Sequence, residues 1–219
     1  MALVERVREA LRAAADPTLA PGQQAYMKSA MPFLGVRMPA VRATVRATSR
    51  DADAAVLLDT ALTLWRGARF REERYAALAV MGLSPLHGDV TLLTVHEEMI
   101  RTGAWWDLVD EVAHRLRELF DVDPLWMAVE MRVWADDDDM WVRRAAIISQ
   151  LGRRNATDRD VLEYAILASI ADRQFFLRKA IGWALRDLGR HDPDWVRTFV
   201  SQHPELSALS RREALKHLG

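Results

Sequence analysis

The sequence predicts an all-α fold, a solenoid of HEAT-like helical repeats with about a dozen helices. Three observations support this prediction. Apolar residues recur at spacings of three and four along most of the chain, as in Val109, Val112, Leu116 and Leu119, which is the pattern of amphipathic helices. A weak repeat of about 35 residues also runs through the sequence. Alternation of apolar and polar residues, the signature of half-buried strands, is absent.

The predicted helices are short and follow one another closely. The first contains Val4, Val7 and Leu11 at helical spacing. Acidic residues in the later linkers, at Asp51 and Asp53, Asp121 and Asp123, and Asp136 to Asp139, are expected to cap helix starts. Breaks are expected at the following positions: Pro21, Pro32, Pro39, Pro85, Gly88, Gly103, Pro124, the run Asp136 to Asp139, Gly152, Gly189, Pro193 and Pro204.

The repeat becomes visible when five strings are aligned: EERYAALAVMG, WDLVDEVAHRL, WVRRAAIISQL, FLRKAIGWALRDL and LSRREALKHL. They share one position, occupied in turn by Arg74, Asp110, Arg144, Lys179 and Arg212, with separations of 36, 34, 35 and 33 residues. This spacing fits one helix pair per repeat, with one helix of each pair lining a concave surface. The shared position is basic four times, and Asp110 is the exception.

A row of cations suits a curved polyanion such as duplex DNA, because each cation can neutralise one phosphate. The alternative is that these positions lie at the polar edge of a helix, where long basic side chains commonly extend into water.

Composition narrows the function classes. The chain has 219 residues, 50% of them hydrophobic and 28% charged, so we expect one soluble domain over residues 1–219. Cysteine is absent, which excludes disulfides, cysteine-ligated zinc and thiol nucleophiles. Charges break up the N-terminal segment MALVERVREALRAAA, and no run of 18 apolar residues follows. We therefore expect a cytoplasmic protein with no membrane contact. The formal net charge of -1 does not by itself indicate a nucleic-acid-binding protein.

Around Asp110 the repeat predicts a mixed polar and aromatic surface. Trp106 precedes Asp110 by four residues, and Trp183 follows Lys179 by four, so each pair shares one helix face. Arg144 belongs to the intervening repeat. We expect one of Trp105 and Trp106 to pack and the other to be exposed, and a structural role for five further tryptophans: Trp65, Trp126, Trp134, Trp141 and Trp195.

The set of motifs resembles the AlkD-type alkylpurine DNA glycosylases, which are built from HEAT-like repeats. The resemblance rests on YMKSAMPFLGVRMP (Tyr26 to Pro39), WWDLVDEVAHRL, MWVRRAAIISQL, FFLRKAIGWALRDLG and LSRREALKHL, in register from Tyr26 to the C-terminus. It implies that Trp106, Asp110, Arg144 and Trp183 form the active surface. Tyr26, which opens the first string, is assigned to DNA binding.

The resemblance further implies a monofunctional glycosylase that removes N3- or N7-alkylated purines from double-stranded DNA without a cofactor. Asp110 would stabilise the cationic sugar and orient water, while Trp106 and Trp183 would pack against the lesion. Arg144 would hold a phosphate and keep Asp110 ionised, and Arg74, Lys179 and Arg212 would anchor other phosphates. We expect a monomer that associates with the nucleoid when bound to DNA. The alternative is a non-catalytic HEAT-like module that binds DNA or protein.

No metal site is expected. The six histidines, His87, His96, His114, His191, His203 and His217, show no ligand spacing and are expected at the surface or at helix caps. The Asp136 to Asp139 run lacks the alternating ligands, glycine and distal glutamate of a calcium loop.

Overall fold

The fold is known from a computed structural model that describes residues 1–218. These residues form thirteen α-helices with short 3₁₀ turns between some of them, and they contain no strand. The prediction of an all-helical repeat array of about a dozen helices is therefore confirmed.

Two compact units make up the described chain, one over Met1–His87 and one that starts at Gly88. The prediction of a single domain over residues 1–219 stays a prediction, and its last residue, Gly219, lies outside the described residues.

The N-terminal unit contains five helices: α1 (Leu3–Ala13), α2 (Ala20–Met27), α3 (Met38–Thr48), α4 (Ala54–Arg66) and α5 (Arg71–Met81). Helix α5 packs against α3 and α4, and α1 packs against the same two helices. The loop before α3 is tied to α5 by Glu72, which is fully buried. Its carboxylate accepts the backbone N–H groups of Leu34, Gly35 and Val36 at 2.9, 2.9 and 3.1 Å. The loop is thus held by a side chain from a helix 36 to 38 residues later.

The second unit contains eight helices: α6 (Leu93–Gly103), α7 (Trp106–Val122), α8 (Pro124–Ala135), α9 (Met140–Ile148), α10 (Arg159–Ser169), α11 (Phe175–Gly189), α12 (Pro193–Gln202) and α13 (Ala208–Ala214). Helices α7, α9, α11 and α13 pack side by side in that order. The even-numbered helices α6 to α12 pack against this row. Each helix of the row carries one of the aligned strings, which is the arrangement that one helix pair per repeat requires.

The helix starts confirm the capping prediction at three of the expected aspartates. The carboxylates of Asp53, Asp123 and Asp139 accept the backbone N–H of Val56, Trp126 and Trp141 at 2.8, 3.0 and 2.8 Å. These bonds satisfy amide groups that have no partner inside the helix. The acidic linkers therefore have a structural role in starting α4, α8 and α9.

Close packing between α11 and α13 depends on Gly182. A Cβ added at this position would lie 2.5 Å from the Cβ of Glu213 and 3.1 Å from the backbone oxygen of Ser210. Since real Cβ atoms do not approach so closely, only glycine permits this separation between the two backbones. The glycine thereby sets the position of the helix that carries Trp183.

Candidate functional site

The centre of the candidate site is an ion pair between two neighbouring helices of the row. Asp110 lies in the second turn of α7, and Arg144 lies in α9. Arg144 donates Nε–H to Oδ1 and Nη2–H to Oδ2 of Asp110, each at 2.8 Å. Two parallel bonds between planar groups hold the carboxylate in one orientation. The structure therefore brings together two residues that the sequence alignment placed at the same repeat position.

Arg144 is buried, and its side chain is only 5% exposed. Besides its two bonds to Asp110, it donates Nη1–H to the backbone oxygen of Phe176, the second residue of α11. Its guanidinium also lies 6.0 Å from the centre of the Phe176 ring. Arg144 thus joins α7, α9 and α11 and positions Asp110. Its expected contact with a DNA phosphate stays a prediction, because in this structure the guanidinium is directed at protein groups.

Asp110 is partly accessible, with 15% of its side chain exposed. Burial raises the pKa of its carboxyl above the ordinary value of 3.8, and the charge of Asp107 adds to this rise. The hydrogen bonds and charge of Arg144, and the charge of His114, lower it. Burial is the largest of these effects and the net direction is upward. Arg144 therefore favours the ionised form of Asp110, as expected, but does not fully compensate the loss of water around it.

An aromatic cluster adjoins this ion pair. Trp105, Trp141 and Phe176 contact one another with ring centres 5.1 to 6.0 Å apart. Phe175, one residue earlier on α11, is 57% exposed and lies 5.4 Å from Phe176. Sequence reasoning missed both phenylalanines, although they open FFLRKAIGWALRDLG, one of the strings on which the family resemblance rests. The signal that could have found them is the register: Phe175 precedes Lys179 by four residues, as Trp106 precedes Asp110.

Trp106 is the first residue of α7 and is partly exposed, one turn before Asp110. Trp105 is also partly exposed and takes part in the aromatic cluster, so neither tryptophan of the pair is fully buried or fully exposed. Trp183 lies on α11, partly exposed, one turn after Lys179. The two flanking tryptophans thus come from two helices that each pack against α9.

Lys179 does not stand alone on α11. Its Nζ donates to Glu213 of α13 at 3.0 Å, and its side chain is 41% exposed. Arg186 donates to the other oxygen of Glu213. The hydrogen bond from Lys179, together with the charges of Lys179 and Arg186, lowers the pKa of Glu213. Glu213 was missed by sequence reasoning, yet it follows Lys179 by 34 residues, the same spacing as Asp110 to Arg144. Arg212 is exposed on α13.

The remaining predicted site residues, Tyr26 and Arg74, belong to the N-terminal unit. Tyr26 is 72% exposed near the end of α2 and lines a small apolar cavity of about 110 Å³ with Phe33 and Tyr75. Arg74 is half-buried on α5, with its guanidinium 4.8 Å from the centre of the Trp65 ring. This stack gives Trp65 a partner besides its structural packing. The expected DNA contacts of Tyr26 and Arg74 stay predictions.

One expectation about the histidines is wrong. His96 is neither at the surface nor at a cap: it is 3% exposed within α6, where burial lowers its pKa to about 4. His96 lies on the same face of α6 as Met99 and Ile100, which are buried in the core, so the histidine is buried with them. Within residues 1–218, no group of three or more His, Asp or Glu side chains is arranged to hold a metal ion, and no helix is long and apolar enough to cross a bilayer.

Comparison with known proteins assigns the family. The family model described as DNA alkylation repair enzyme matches residues 7–218. This chain belongs to the DNA alkylation repair enzyme family. No curated protein sequence matches it significantly. A solved structure titled as a predicted DNA alkylation repair enzyme from Enterococcus faecalis is 25% identical, with a TM-score of 0.82 over 94% of this chain and 97% of that one.

Two further solved structures share the fold of this DNA alkylation repair family member. The protein smu.31 from Streptococcus mutans has 17% identity and a TM-score of 0.65, over 83% of this chain and 93% of its own. AlkD2 from Streptococcus mutans has 17% identity and a TM-score of 0.63, over 84% and 91%. Family membership supports a DNA-binding repair role for the chain and confirms the resemblance seen in its motifs.

Proposed function

We propose that this member of the DNA alkylation repair family is a monofunctional glycosylase that releases cationic N3- and N7-alkylated purines from duplex DNA. One observation supports it above the others: Asp110, a partly exposed carboxylate, is held in a single orientation by a buried arginine on the neighbouring helix. A groove that only bound phosphates would place a cation at such a position, because a carboxylate repels the backbone of DNA.

The chemistry of the lesion explains why one carboxylate suffices. An alkylated purine that carries a positive charge leaves as a neutral base, so no residue needs to protonate it. Positive charge then develops on the sugar near C1′, where a nearby carboxylate lowers the energy of the transition state. The same carboxylate can orient the water that attacks C1′. Asp110 is assigned both roles.

Asp110 must be ionised for these two roles, and its surroundings determine its pKa. Burial raises its pKa, and the bidentate contact from Arg144 opposes that rise. We assign Arg144 as a positioning residue that acts through Asp110, since its guanidinium is buried and directed at the carboxylate and at the backbone of α11.

Trp106 and Trp183 are assigned to the lesion and its sugar. An indole face attracts a cation by about 0.5 to 2 kcal/mol, which favours a charged alkylpurine over an undamaged base. Replacement by Phe would keep part of this attraction and replacement by Ala would remove it. The expected order of single-turnover rates at either position is therefore Trp, then Phe, then Ala.

The cations assigned to phosphates differ in availability. Arg212 is exposed, whereas Lys179 is paired with Glu213 and must exchange that partner for a phosphate. Arg74 and Tyr26 are assigned to the backbone of the DNA as well. A titration of duplex affinity against salt tests this group, because each phosphate contact adds about 0.9 to the slope of log K against log salt. An affinity that does not change with salt would contradict the assignment.

The decisive experiment is incubation with methylated duplex DNA followed by chromatography of the released bases. We expect release of 3-methyladenine or 7-methylguanine, and a loss of at least about 100-fold in the single-turnover rate for Asp110→Asn, the scale of losing one electrostatic stabiliser. The matched control is Asp187→Asn on α11, a half-buried carboxylate whose oxygen accepts the backbone N–H of Gly152 at 2.7 Å. It should keep the rate within about two-fold.

The outcomes separate the proposal from its alternative. Release that survives Asp110→Asn unchanged would remove Asp110 from the mechanism. If the parent protein binds methylated duplex DNA but releases no base, the chain is a non-catalytic binding module and the glycosylase proposal is wrong.

A further inference from the structure

The outward face of α8 carries an apolar stripe that nothing in the proposed reaction uses. Leu125, Val129 and Val133 are 82%, 60% and 62% exposed. They are four residues apart, so they follow one another along a single helix face over about 12 Å. We call these three residues the α8 stripe.

The opposite face of the same helix is already buried. Met127, Met131 and Trp134 are at most 3% exposed, and α8 packs against α7, α9 and α10. Only Glu130 and Arg132 interrupt the apolar sequence PLWMAVEMRVWA. A helix that is apolar on all sides is normally buried on all sides. The α8 stripe is therefore an apolar helix face against which no other part of the described chain packs.

Exposed acidic residues lie at both ends of the stripe. Asp121 and Asp123 precede α8, and Asp136 and Asp138 follow it; all four are exposed. Arg153 pairs with Asp121, but it is itself only 7% exposed and leaves 60% of that carboxylate side chain accessible. Arg132, beside the stripe, lies over the Tyr164 ring of α10 at 5.0 Å. The stripe is thus apolar in the middle and negative at both ends.

We infer that the α8 stripe binds an amphipathic helix of another protein, with apolar side chains at its centre and lysine or arginine near both ends. Helix-on-helix docking uses apolar residues at spacings of three and four, which matches the stripe. The acidic groups at the two ends lie 13 positions apart in the inner pair, Asp123 and Asp136, and 17 apart in the outer pair, Asp121 and Asp138. Basic residues about 13 to 17 positions apart on the partner helix would meet them.

The charges decide against the other occupants. In a symmetric pair of α8 helices, parallel or antiparallel, acidic ends would meet acidic ends. Anionic lipid headgroups and DNA phosphates would be repelled by the same groups. A basic-flanked helix is the partner whose charge complements both ends at once.

Three synthetic 18-residue helical peptides test the inference by fluorescence anisotropy with the full chain. All carry leucines at positions i, i+4 and i+8, and they differ in flanks: lysine and arginine, glutamine and serine, or glutamate. We expect the basic peptide to bind at least tenfold more tightly than the acidic one, with the neutral peptide between them. Val129→Asp should weaken binding of the basic peptide by at least tenfold.

Controls separate this surface from the repair site and from misfolding. Thr198→Asp, at an exposed position of α12, should leave peptide binding unchanged. Val129→Asp should keep the helical circular dichroism spectrum and the base-release rate of the parent. The double variant Asp121→Asn/Asp138→Asn should weaken binding of the basic peptide but not of the other two peptides.

Several results would overturn the inference: no binding of any peptide, equal affinity for all three flanks, or binding unaffected by Val129→Asp. A dimer in light scattering that Val129→Asp dissociates would assign the stripe to a second copy of the chain. Sedimentation with phosphatidylglycerol vesicles that depends on Val129 would assign it to lipid.

Discussion

Removal of the buried cation by Arg144→Met would leave Asp110 largely buried without its partner. Two hydrogen bonds of 2.8 Å to a carboxylate would be lost, each contributing about 1.5–3 kcal/mol. Breaking a buried pair from one side costs about 3–5 kcal/mol. Because 15% of the Asp110 side chain is exposed to water, we expect the lower end of that range for the free energy of unfolding near pH 8.

The penalty should depend on pH in a defined direction. Without Arg144, the hydrogen bonds and charge that lower the pKa of Asp110 are gone, and burial raises it further above the unfolded value of 3.8. A carboxyl with a raised folded pKa binds its proton more tightly in the folded state. Folding stability is therefore recovered as pH falls through that pKa and lost as pH rises through it. Urea unfolding measured from pH 8 down to pH 4, close to the unfolded pKa of 3.8, should show a difference from the parent that shrinks as pH falls.

The same substitution should change catalysis through Asp110. In the proposed mechanism the base-release rate requires the ionised carboxylate, so it should fall on the acid side of the pKa of Asp110. For Arg144→Met this fall should occur at higher pH than in the parent protein. The double variant Asp110→Asn/Arg144→Met should be more stable at pH 8 than Arg144→Met alone, since no unpaired charge is left. An equal stability loss at pH 8 and at pH 4, with an unchanged rate profile, would refute the positioning role of Arg144.

Three further variants test other parts of the structure. Gly182→Ala should lower the free energy of unfolding by about 1–3 kcal/mol, measured in urea, because its Cβ would meet Glu213 at 2.5 Å. His96→Leu should reduce the loss of stability in acid. In the parent, the pKa of His96 is about 4 in the folded state and 6.5 in the unfolded state, so between pH 6.5 and pH 4 protonation favours the unfolded state and costs the parent about 3 kcal/mol. Urea unfolding across that pH range measures the difference. Glu213→Gln should raise duplex affinity and steepen its salt dependence, because Lys179 and Arg186 lose an acidic partner.

Matched controls accompany these variants. Gly22→Ala places a Cβ where nothing lies within 4 Å and should not destabilise the protein. His191→Leu, at an exposed position, should leave the acid profile of the parent. Glu205→Gln removes a surface carboxylate that pairs with His203 and should leave duplex affinity within about two-fold. If Glu213→Gln behaves like Glu205→Gln, the phosphate contact proposed for Lys179 is wrong.

Local patterns were enough to predict the helices and their caps. Spacings of three and four place Val109, Val112 and Leu116 on one buried face of α7, and aspartates before helix starts cap them because the bond spans only two or three residues. The 34-residue spacing also predicted that Asp110 and Arg144 occupy matching positions on neighbouring helices. Such features depend only on neighbouring residues or on the repeat, so they can be predicted from a single sequence.

The tertiary structure decided how these positions pair. Arg144 donates hydrogen bonds to Asp110 and to the backbone of Phe176, and Lys179 pairs with Glu213. These pairings depend on which side chains come close together across neighbouring helices, and the sequence does not give that distance. His96 entered the core with the apolar face of α6, and the α8 stripe remained exposed although its sequence is typical of a buried helix. Sequence periodicity gives the faces of a helix; which face is covered depends on what packs against it.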